Sequence, residues 1–507
     1  MNNIADIRTV GHRSLDAAVA NLRVDYWVLA AVMLAVGLRL VRLDAAPLWL
    51  DEVVTATWVD LPWGDAVRSV MADRHPPLYI LLLKAWAVVA GRSDWSLRAF
   101  SVVASCMFVL LSAALTRLMA GSVAARWAAW LAACSPYVVH HGQEARMYPL
   151  VMALAAGQLT LFVRVLLGRR ERLGWGFAVI AVALTATHYY AGFLILGELL
   201  ALALLPRGSA RLRVNAFPAL VAGAFAIASM LAAAAFASHG QRVSEYDLGP
   251  LVGPGALWAL LGGYELLPSP GALHADGLSS VWSLVPMAVV SGSALAVTLL
   301  YGLRSLPTAM RTVALATLGA VFGGAFAADA IAGVGFHPRY LATGMPMFIV
   351  LLAAGAPRRL GWNVRSVSIV VVSGTMVLAT ALHLTDPGHG REDVRAAGRW
   401  LDEHVPADEE VLVTSFEMEI LARYHWPQHR FRLYPDTGSQ TANEANSDAL
   451  AGGLPFSQQG RAVYVFGRAW LSDPSGALRR SLVRQYARCE GTQARGIEVL
   501  CLEKQQR

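Results

Sequence analysis

The sequence contains little charge for its length. Only 15% of its 507 residues are Asp, Glu, Lys or Arg, whereas 56% are hydrophobic, and the mean hydropathy is +0.47. A soluble globular protein carries about 25% charged residues. One or two soluble domains cannot bury this much apolar surface, because a core grows only to a limited size before the chain divides. The shortage of charge therefore predicts a protein that exposes much of its apolar surface to lipid.

Lysine is nearly absent and occurs only at Lys84 and Lys504. The formal net charge of +7 therefore comes from arginines, which stand in short clusters between apolar runs. This distribution is typical of membrane topology signals and not of a nucleic-acid-binding face. We expect the lipid bilayer as a partner and no nucleic acid.

Cysteine and nucleotide-binding motifs are also sparse. The four cysteines form no CxxC pair, which excludes zinc ribbons and thioredoxin-type redox sites. There is no P-loop, and no GxGxxG follows a strand. Cys106 and Cys134 lie in apolar runs and are predicted to be packing residues. Cys489 and Cys501 flank the last predicted hairpin, where a disulfide and two free thiols both remain open.

No small-residue cleavage site precedes the first apolar run. Residues 1–25 contain three arginines, which favour the cytoplasmic side of a membrane. We therefore expect a cytoplasmic N-terminal tail at 1–25 that leads into an uncleaved first span.

Long apolar runs are the dominant feature of residues 26–384. A membrane-spanning helix needs about 20 apolar residues, and about eleven runs approach this length. They are 26–43, 98–117, 123–139, 148–167, 173–188, 190–206, 214–237, 283–303, 312–332, 341–357 and 365–384. The run 77–90 is only about 14 residues long, begins at a proline and contains Lys84.

The basic connections decide whether the run 77–90 crosses the membrane. If it does not, the N-terminal tail and the arginine-rich connections at 117–126, 168–174, 206–213, 304–311 and 357–365 all lie on the cytoplasmic side. We therefore expect a juxtamembrane helix at 77–90, within a first external loop at 44–97. A long external loop follows at 238–282.

The tail at 385–507 has a different composition. It is more charged, shows helical periodicity near 391–404, and then contains the strand-like runs EVLVTSF, RAVYVFG and GIEVLCLEK. Alternating helical and strand-like segments predict a small extracytoplasmic α/β domain of about 120 residues. The expected fold is thus a polytopic α-helical membrane protein with a small C-terminal α/β domain.

The stretch LWLDEVVTATW at 48–58 places Asp51 and Glu52 side by side where the first span ends. One interpretation is structural, because carboxylates at a helix N-terminus gain about 0.3–1 kcal/mol from the helix dipole. The other is catalytic: Asp51 would be a general base toward an acceptor hydroxyl, and Glu52 would hold a metal or a second acceptor group.

Two arginines lie on the external side, where positive charge is not expected. Arg146 stands in SPYVVHHGQEARMYP and Arg339 in GFHPRYLATGMPMF. A guanidinium binds phosphate oxygens in a two-pronged geometry, so both are candidates for a lipid-phosphate site.

Other polar residues predicted on this face are further candidates. Those for donor-phosphate binding are His75, Lys84 and Tyr340, and those that would line the site are Glu144, Tyr148, His188 and His337. Lys84 has an alternative interpretation as a snorkelling lysine, and His188 as part of an interfacial aromatic belt. The HHxxE spacing that ends at Glu144 is only a weak zinc signal, and the metal-ligating residues are unknown.

Four motifs in order resemble the bacterial family-39 glycosyltransferases of the GT-C superfamily. They are the acidic pair in the first external loop, HPPLY, the SP…QEARMY segment and HPRYL…P. Relatives in that superfamily are the protein O-mannosyltransferases and the lipid A aminoarabinose transferase. The resemblance implies a GT-C fold and an inverting transfer of a hexose or pentose from a polyprenyl-phosphate carrier to an extracytoplasmic acceptor. It implies a location in the bacterial inner membrane, with the active site facing the periplasm.

By the same resemblance, Asp51 corresponds to the catalytic aspartate, and Arg146 and Arg339 to residues that bind the carrier phosphate. Some superfamily members use a divalent metal such as Mg²⁺ or Mn²⁺ and others do not, so the resemblance leaves metal dependence open. The tail lacks a WWDYG-type motif, which argues against the oligosaccharyltransferase branch. The sugar, the acceptor and the carrier length are not specified by these motifs.

Two other classes of polytopic protein remain as alternatives. A transporter or flippase of lipid-linked glycans also carries charges at membrane depth, but it usually has repeated halves and a site near the midplane. A polysaccharide polymerase or ligase also has external arginines, but it does not need an acidic pair after the first span. A non-catalytic scaffold gives no reason for Arg146 and Arg339 on the external side.

Overall fold

The computed structural model describes residues 25–167, 173–205, 221–228, 231, 251–268, 277–332, 336–385, 392–435, 441–458, 460–468 and 472–504. The expected N-terminal tail lies outside these residues except for Asp25. Most of the predicted span 214–237 and part of the predicted loop 238–282 also lie outside them.

The described residues up to 205 are almost entirely helical. Their helices are α1 (Tyr26–Leu40), α2 (Leu50–Asp60), α3 (Trp63–Ala72), α4 (Leu78–Ala90), α5 (Asp94–Ala120), α6 (Ser122–Cys134), α7 (Pro136–Gly142), α8 (Tyr148–Leu166), α9 (Leu173–Thr185) and α10 (Ala191–Leu204). The apolar runs predicted here each coincide with one of these helices. The run 123–139 is divided, because Ser135 ends α6 and its hydroxyl accepts a hydrogen bond from Val138 N at the start of α7.

The described residues from 251 to 385 are also mostly helical. They are α11 (Val252–Gly262), α12 (Val285–Ser305), α13 (Thr308–Ala332), α14 (Met345–Gly355) and α15 (Val364–Thr385), with 3₁₀ helices at Gly277–Leu284 and Pro338–Gly344.

Six helices in the described part of the chain are long and apolar enough to cross a membrane. They are Asp94–Ala120, Tyr148–Leu166, Ser279–Ser305, Thr308–Ile331, Pro338–Gly355 and Val364–Thr385. Shorter apolar helices accompany them, among them α1 and α10. The predicted polytopic helical fold is confirmed, whereas the count of about eleven crossings stays a prediction.

The run 77–90 forms the 13-residue helix α4. At 1.5 Å per residue this helix is about 20 Å long, which is shorter than the hydrocarbon core of about 30 Å. Its length agrees with the expected juxtamembrane position.

Close helix contacts are made where side chains are absent. Gly302 of α12 lies against the Leu351 carbonyl of α14, and Gly355 of α14 lies against the Thr298 carbonyl of α12. Neither position has room for a Cβ atom, which is the small-residue packing that lets membrane helices approach closely. This pair holds α14 beneath the 3₁₀ helix Pro338–Gly344.

The C-terminal segment contains a small mixed sheet with helices. The elements are α16 (Val394–His404), β1 (Glu410–Val413), α17 (Phe416–His425), β2 (Arg430–Leu433), α18 (Ser447–Gly452), β3 (Arg461–Gly467), α19 (Ala477–Gln485), β4 (Ala487–Arg488), β5 (Thr492–Ala494) and β6 (Ile497–Glu503). The strand order is β2-β1-β3-β6-β4, and β5 also pairs with β6. Strand β1 is parallel to β2 and β3, whereas β6 is antiparallel to its neighbours.

A disulfide joins Cys489 to Cys501, so the alternative of two free thiols does not hold in this structure. Cys489 N also donates to Cys501 O at 3.0 Å, which continues the pairing of the last strands.

The C-terminal segment contacts the residues between α1 and α2, which belong to the predicted first external loop. Arg395 donates to the carbonyls of Asp44 and Ala45 at 3.1 and 3.0 Å, and His425 Nε2 lies 2.8 Å from the Leu48 carbonyl. The sheet region is thereby placed beside the helix that carries Asp51.

Candidate active site

Asp51 lies in the first turn of α2. The backbone is extended at Trp49, and the Glu52 carboxylate accepts a hydrogen bond from Trp49 N at 3.3 Å, so the helix begins there. A carboxylate in the first turn is stabilised by the helix dipole. The local sequence thus places Asp51 at a helix N-terminus, as the structural interpretation of the acidic pair expected.

Two arginines from distant parts of the chain face the Asp51 carboxylate. Arg339 Nη1 lies 3.0 Å from Asp51 Oδ2, and Arg146 Nη2 lies 3.6 Å from the same oxygen. The Asp51 side chain is 23% exposed, so the cluster opens to solvent on one side. The structure therefore brings together the three residues that the sequence singled out most strongly.

The electrostatics of Asp51 are dominated by these neighbours. Burial alone would raise the pKa of Asp51, but the positive charges of Arg146 and Arg339 lower it to about 2. The carboxylate is therefore ionised at any physiological pH.

Arg146 is fixed by contacts to α2. Its Nη1 donates to the Asp51 carbonyl and to Thr55 Oγ1, each at 3.1 Å. Its own carbonyl accepts a hydrogen bond from Ser101 Oγ at 3.3 Å. The guanidinium is thus oriented before any ligand binds. A small cleft beside it is lined by Thr55, Trp58, His75, Tyr79, Arg146 and Thr187.

Arg339 lies in the 3₁₀ helix Pro338–Gly344. His337 caps this helix, because its Nδ1 accepts a hydrogen bond from Arg339 N at 3.2 Å. Tyr137 OH donates to the Pro338 carbonyl at 3.2 Å and attaches the segment to α7. The guanidinium carbon of Arg339 lies 5.9 Å from the centre of the Tyr340 ring, within cation–π distance.

Aromatic rings form one wall next to the arginines. Tyr340 stacks on Tyr190 with ring centres 4.5 Å apart. The ring of His188 lies 5.8 Å from Tyr148 and 6.3 Å from Tyr340. The predicted residues Tyr148, His188, His337 and Tyr340 therefore form one group of neighbouring rings beside Arg339.

Glu52 points away from this cluster. Its carboxylate is fully buried and binds Arg98 through two contacts, Nε to Oε1 at 2.8 Å and Nη2 to Oε2 at 2.6 Å. It also accepts a hydrogen bond from Ala145 N at 2.8 Å. These contacts occupy the Glu52 carboxylate. The expectation that Glu52 holds a metal or a second acceptor group therefore does not agree with its position in the structure.

The remaining predicted residues are divided between the cluster and its surroundings. His75 lines the cleft beside Arg146, and its Nδ1 lies 2.8 Å from the Asp73 carbonyl. Lys84 lies elsewhere: its Nζ donates to the carbonyls of Val59 and Leu61 at 2.7 and 2.6 Å, at the end of α2.

Glu144 belongs to a separate network. It lies 3.2 Å from His140 Nε2 and 2.9 Å from His141 Nδ1, and not beside the Asp51 carboxylate. The weak HHxxE signal thus corresponds to a real group of neighbouring side chains.

Arg98 and Thr55 are site-forming residues that the sequence did not reveal. Arg98 is a lone charge near the start of an apolar run, which was the available signal. Thr55 follows Asp51 by four residues, one helical turn, and only the helix geometry makes it a partner of Arg146.

A divalent metal at Asp51 finds few donors. The ion-pair partners of the Asp51 carboxylate are guanidinium groups, and the neighbouring Glu52 is bound to Arg98. Mg²⁺ and Mn²⁺ prefer several oxygen ligands. The described residues around Asp51 therefore do not fit such an ion.

Comparisons with known proteins support the resemblance drawn from the motifs. Residues 74–234 match the model of the family described as dolichyl-phosphate-mannose-protein mannosyltransferase. No curated protein matches the chain significantly in sequence.

The fold matches solved structures over most of its length. ArnT from Cupriavidus metallidurans in the apo state has a TM-score of 0.51 at 12% identity, over 94% of this chain and 97% of that chain. The same protein bound to undecaprenyl phosphate has a TM-score of 0.52 at 13% identity, over 94% and 98%. The apo oligosaccharyltransferase from Archaeoglobus fulgidus has a TM-score of 0.50 at 12% identity, over 92% and 73%.

At these identities the structural matches show the fold, and the family match adds the protein mannosyltransferases. The family model matches residues 74–234 alone, and both findings agree with the resemblance to GT-C superfamily glycosyltransferases such as the protein mannosyltransferases and ArnT.

Proposed function

We propose that this multi-pass membrane protein moves a sugar from a polyprenyl-phosphate carrier to a hydroxyl group of an extracytoplasmic acceptor. The observation that carries the proposal is the Asp51 carboxylate held 3.0 Å from Arg339 and 3.6 Å from Arg146. ArnT, whose fold this chain shares, has been solved with undecaprenyl phosphate bound. A base beside two phosphate-binding groups is what transfer from a lipid phosphate requires.

In the proposed reaction Asp51 takes the proton of the acceptor hydroxyl. The acceptor oxygen attacks the anomeric carbon from the face opposite the phosphate, so a new C–O bond forms and the configuration inverts. The bond between the anomeric carbon and the phosphate oxygen breaks, and the electron pair leaves with the polyprenyl phosphate. Arg146 and Arg339 stabilise the charge that develops on that phosphate.

Donor binding would also prepare the base. In the free protein the two arginines hold the pKa of Asp51 at about 2, where a carboxylate is a weak proton acceptor. A donor phosphate that draws Arg339 away from Asp51 would raise the pKa of Asp51 toward its ordinary value. The base would then gain strength only when the donor is present.

The other residues have supporting roles in this proposal. Tyr148, His188, His337 and Tyr340 line the donor side, and His75 borders the cleft next to Arg146. Glu52 and Lys84 are positioning residues, because Glu52 binds Arg98 and Lys84 binds the last carbonyls of α2.

The proposed setting is the bacterial inner membrane, with the site facing the periplasm. The cytoplasmic tail would be 1–25, the membrane region 26–384 and the extracytoplasmic α/β domain 385–507. The contacts of Arg395 and His425 with the first external loop support one common side for the last segment and the site.

The test uses the purified full chain in liposomes with synthetic undecaprenyl-phosphate hexoses and pentoses. We expect the protein to consume a donor and to release undecaprenyl phosphate, faster in the presence of periplasmic lipid and glycan extracts. Donor that crosses the bilayer without cleavage would instead indicate a flippase, and growth of a polymer from lipid-linked repeats would indicate a polymerase. Either of these outcomes, without cleavage of a polyprenyl-phosphate monosaccharide, would overturn the proposal.

A further inference from the structure

A second cluster of polar side chains lies beside the proposed active site and takes no part in the proposed reaction. His140 comes from α7, Glu265 follows α11, and His383 lies near the end of α15. The side chains of all three are at most 18% exposed. Three separate elements therefore direct buried metal-binding side chains to one point.

The distances are those of a metal-binding group. His383 Nδ1 lies 2.6 Å and His140 Nδ1 lies 3.4 Å from Glu265 Oε1. One ligand atom from each of the three residues lies within 4.8 Å of the others. Tetrahedral zinc, with ligand bonds of about 2.0–2.2 Å, places its ligand atoms about 3.3 Å apart. Small side-chain adjustments would therefore accommodate the ion.

The outer nitrogen of each histidine is held by an acceptor. His140 Nε2 lies 3.2 Å from Glu144 Oε1, and His383 Nε2 lies 2.9 Å from Gln143 Oε1. An acceptor at Nε2 keeps a proton there, so that Nδ1 of each ring, once its own proton is released, can bind a cation next to Glu265. Zinc-binding histidines are commonly oriented by a carboxylate or carbonyl acceptor in this way.

One buried oxygen of the cluster is available to a ligand. Among the described residues, Glu265 Oε2 is buried and has no hydrogen-bond partner, although the Glu265 side chain is only 3% exposed. A polar atom that is buried without a partner is costly. A cation bound at the Glu265 carboxylate would remove that cost.

We propose that His140 Nδ1, His383 Nδ1 and the Glu265 carboxylate bind one zinc ion. Two imidazoles and one carboxylate form a donor set that suits zinc, whereas Mg²⁺ and Mn²⁺ favour oxygen-rich sites. The ion is distinct from the Mg²⁺ or Mn²⁺ considered beside Asp51, and it performs no step of the sugar transfer.

The zinc ion would connect helices that support the Arg339 segment. It joins α7 to the end of α15, and α7 carries Tyr137, whose hydroxyl donates to the Pro338 carbonyl. Metal binding in the folded state stabilises that state by mass action. The ion is therefore a structural clamp for the external ends of these helices.

The test measures metal content in the full chain, purified from zinc-supplied cells with its affinity tag removed. We expect about one zinc per chain in the unmodified protein by mass spectrometry of the metal. His383→Ala and Glu265→Gln should retain less than about a tenth of it. The control is His404→Ala on α16, a histidine that stacks on Trp400 and lies outside the cluster. It should keep the full content.

A second measurement does not depend on the folding of any variant. Chelation of the unmodified protein should lower its Tm by several degrees, and added ZnCl₂ should restore it where MgCl₂ does not. Zinc below about a tenth of an equivalent in the unmodified protein would contradict the proposal. Full zinc content in both His383→Ala and Glu265→Gln would also contradict it, because the ion would then be bound by His140, His141 and Glu144 instead.

Discussion

Asp51 is an ionised carboxylate before any substrate binds, because Arg146 and Arg339 face it. The same two arginines are the groups that we propose for the donor phosphate. In the free protein the single carboxylate offsets part of the charge of the two arginines, and in the proposed complex the donor phosphate would take its place. We therefore propose that one anion exchanges for another at the two arginines.

This exchange predicts the pH dependence. The folded-state pKa of Asp51 is lowered to about 2, so the base is ionised above that pH and is lost only as the pH falls through it. The profile of kcat/KM should therefore show no acid limb from Asp51 between about pH 4 and 7. Arg339→Ala removes a cation, raises the pKa of Asp51 and should move an acid limb upward into the measurable range.

The control for the pH profile is Arg432→Ala, which removes a half-exposed arginine of the C-terminal sheet that pairs with Glu410. Its kcat/KM profile should match that of the unmodified protein. An unshifted profile in Arg339→Ala would show that Arg339 does not control the ionisation of Asp51.

Arg146→Lys tests phosphate binding at the residue scale. Lysine keeps the charge but loses the planar pair of donors, and hydrogen bonds to charged groups contribute about 1.5–3 kcal/mol. We expect the KM for the donor lipid to rise by roughly 10- to 100-fold, with a smaller change in kcat. Steady-state kinetics with a synthetic donor measure both.

The control is Arg126→Lys. Arg126 is a half-exposed arginine that pairs with Asp25, and its replacement should leave KM and kcat unchanged. Equal effects in the two variants would refute the assignment of Arg146 to phosphate binding.

At the scale of residues, the sequence predicted those site residues that are charged within an otherwise apolar chain. Asp51, Arg146 and Arg339 are charges that the predicted topology places on the external side of an apolar chain, and the structure brings them together. The structural role of Glu52 could not be predicted, because it depends on Arg98, which is 46 residues away. Glu265 and His383 are single polar residues in apolar surroundings, and only the fold makes them neighbours.

Helix α2 is attached to α5 by the Glu52–Arg98 pair. Arg98 also donates to the carbonyls of Leu43, Ala46 and Pro47, at 2.8, 2.8 and 3.1 Å. Arg98 therefore binds both the segment that precedes α2 and, through Glu52, the first turn of α2 itself. This contact fixes the direction in which the adjacent Asp51 points.

Removal of Arg98 leaves Glu52 as an uncompensated buried charge. We expect Arg98→Met to lower the free energy of unfolding by about 3–5 kcal/mol, measured by denaturant titration in mixed micelles. Replacement of both partners, in Arg98→Met with Glu52→Leu, should recover part of the loss, since no buried charge then remains unpaired.

The matched control for this prediction is Arg92→Met. Arg92 forms an ion pair with Asp60, and both side chains are more than half exposed. Loss of an exposed pair costs about 0–1 kcal/mol. A similar small cost for Arg98→Met would show that the buried pair does not secure α2.

At the scale of elements, hydropathy predicted where helices exist but not where they break. The run 123–139 divides at Ser135 because its hydroxyl caps α7, and the run 341–357 begins as a 3₁₀ helix after Pro338. Strands β1, β3 and β6 were predicted because each contains a run of apolar residues. Strand β2, with the sequence RFRL, has only two apolar residues, and β4 and β5 have two and three residues in all, too few for a recognisable pattern.

For the whole molecule, arginine-rich connections predicted the sides of the membrane. The predicted topology places Asp51, Arg146 and Arg339 on the same side of the membrane, and the structure brings them into contact. Most of the predicted span 214–237 lies outside the described residues. The number of crossings therefore stays a prediction, and one span more or fewer would reverse the side of every later loop.

Cysteine labelling with a membrane-impermeant maleimide tests this frame. Met71→Cys lies in the first external loop and Trp362→Cys in a predicted cytoplasmic connection, and both side chains are exposed at these positions. When only the outer membrane is permeabilised, we expect label at position 71 and none at position 362. When the inner membrane is permeabilised as well, we expect label at both positions. Label at both positions under the first condition would place the two loops on one side and invalidate the topology.

The central claim is that Asp51 is the base in sugar transfer from a lipid phosphate. Its most direct test is the single-turnover rate of Asp51→Asn with a synthetic polyprenyl-phosphate sugar, with the exposed Asp65→Asn as control. We predict that Asp51→Asn inserts normally, still binds the donor, and transfers about 10²–10⁴-fold more slowly, whereas Asp65→Asn retains the full rate. A rate for Asp51→Asn within about threefold of the unmodified protein would contradict the account.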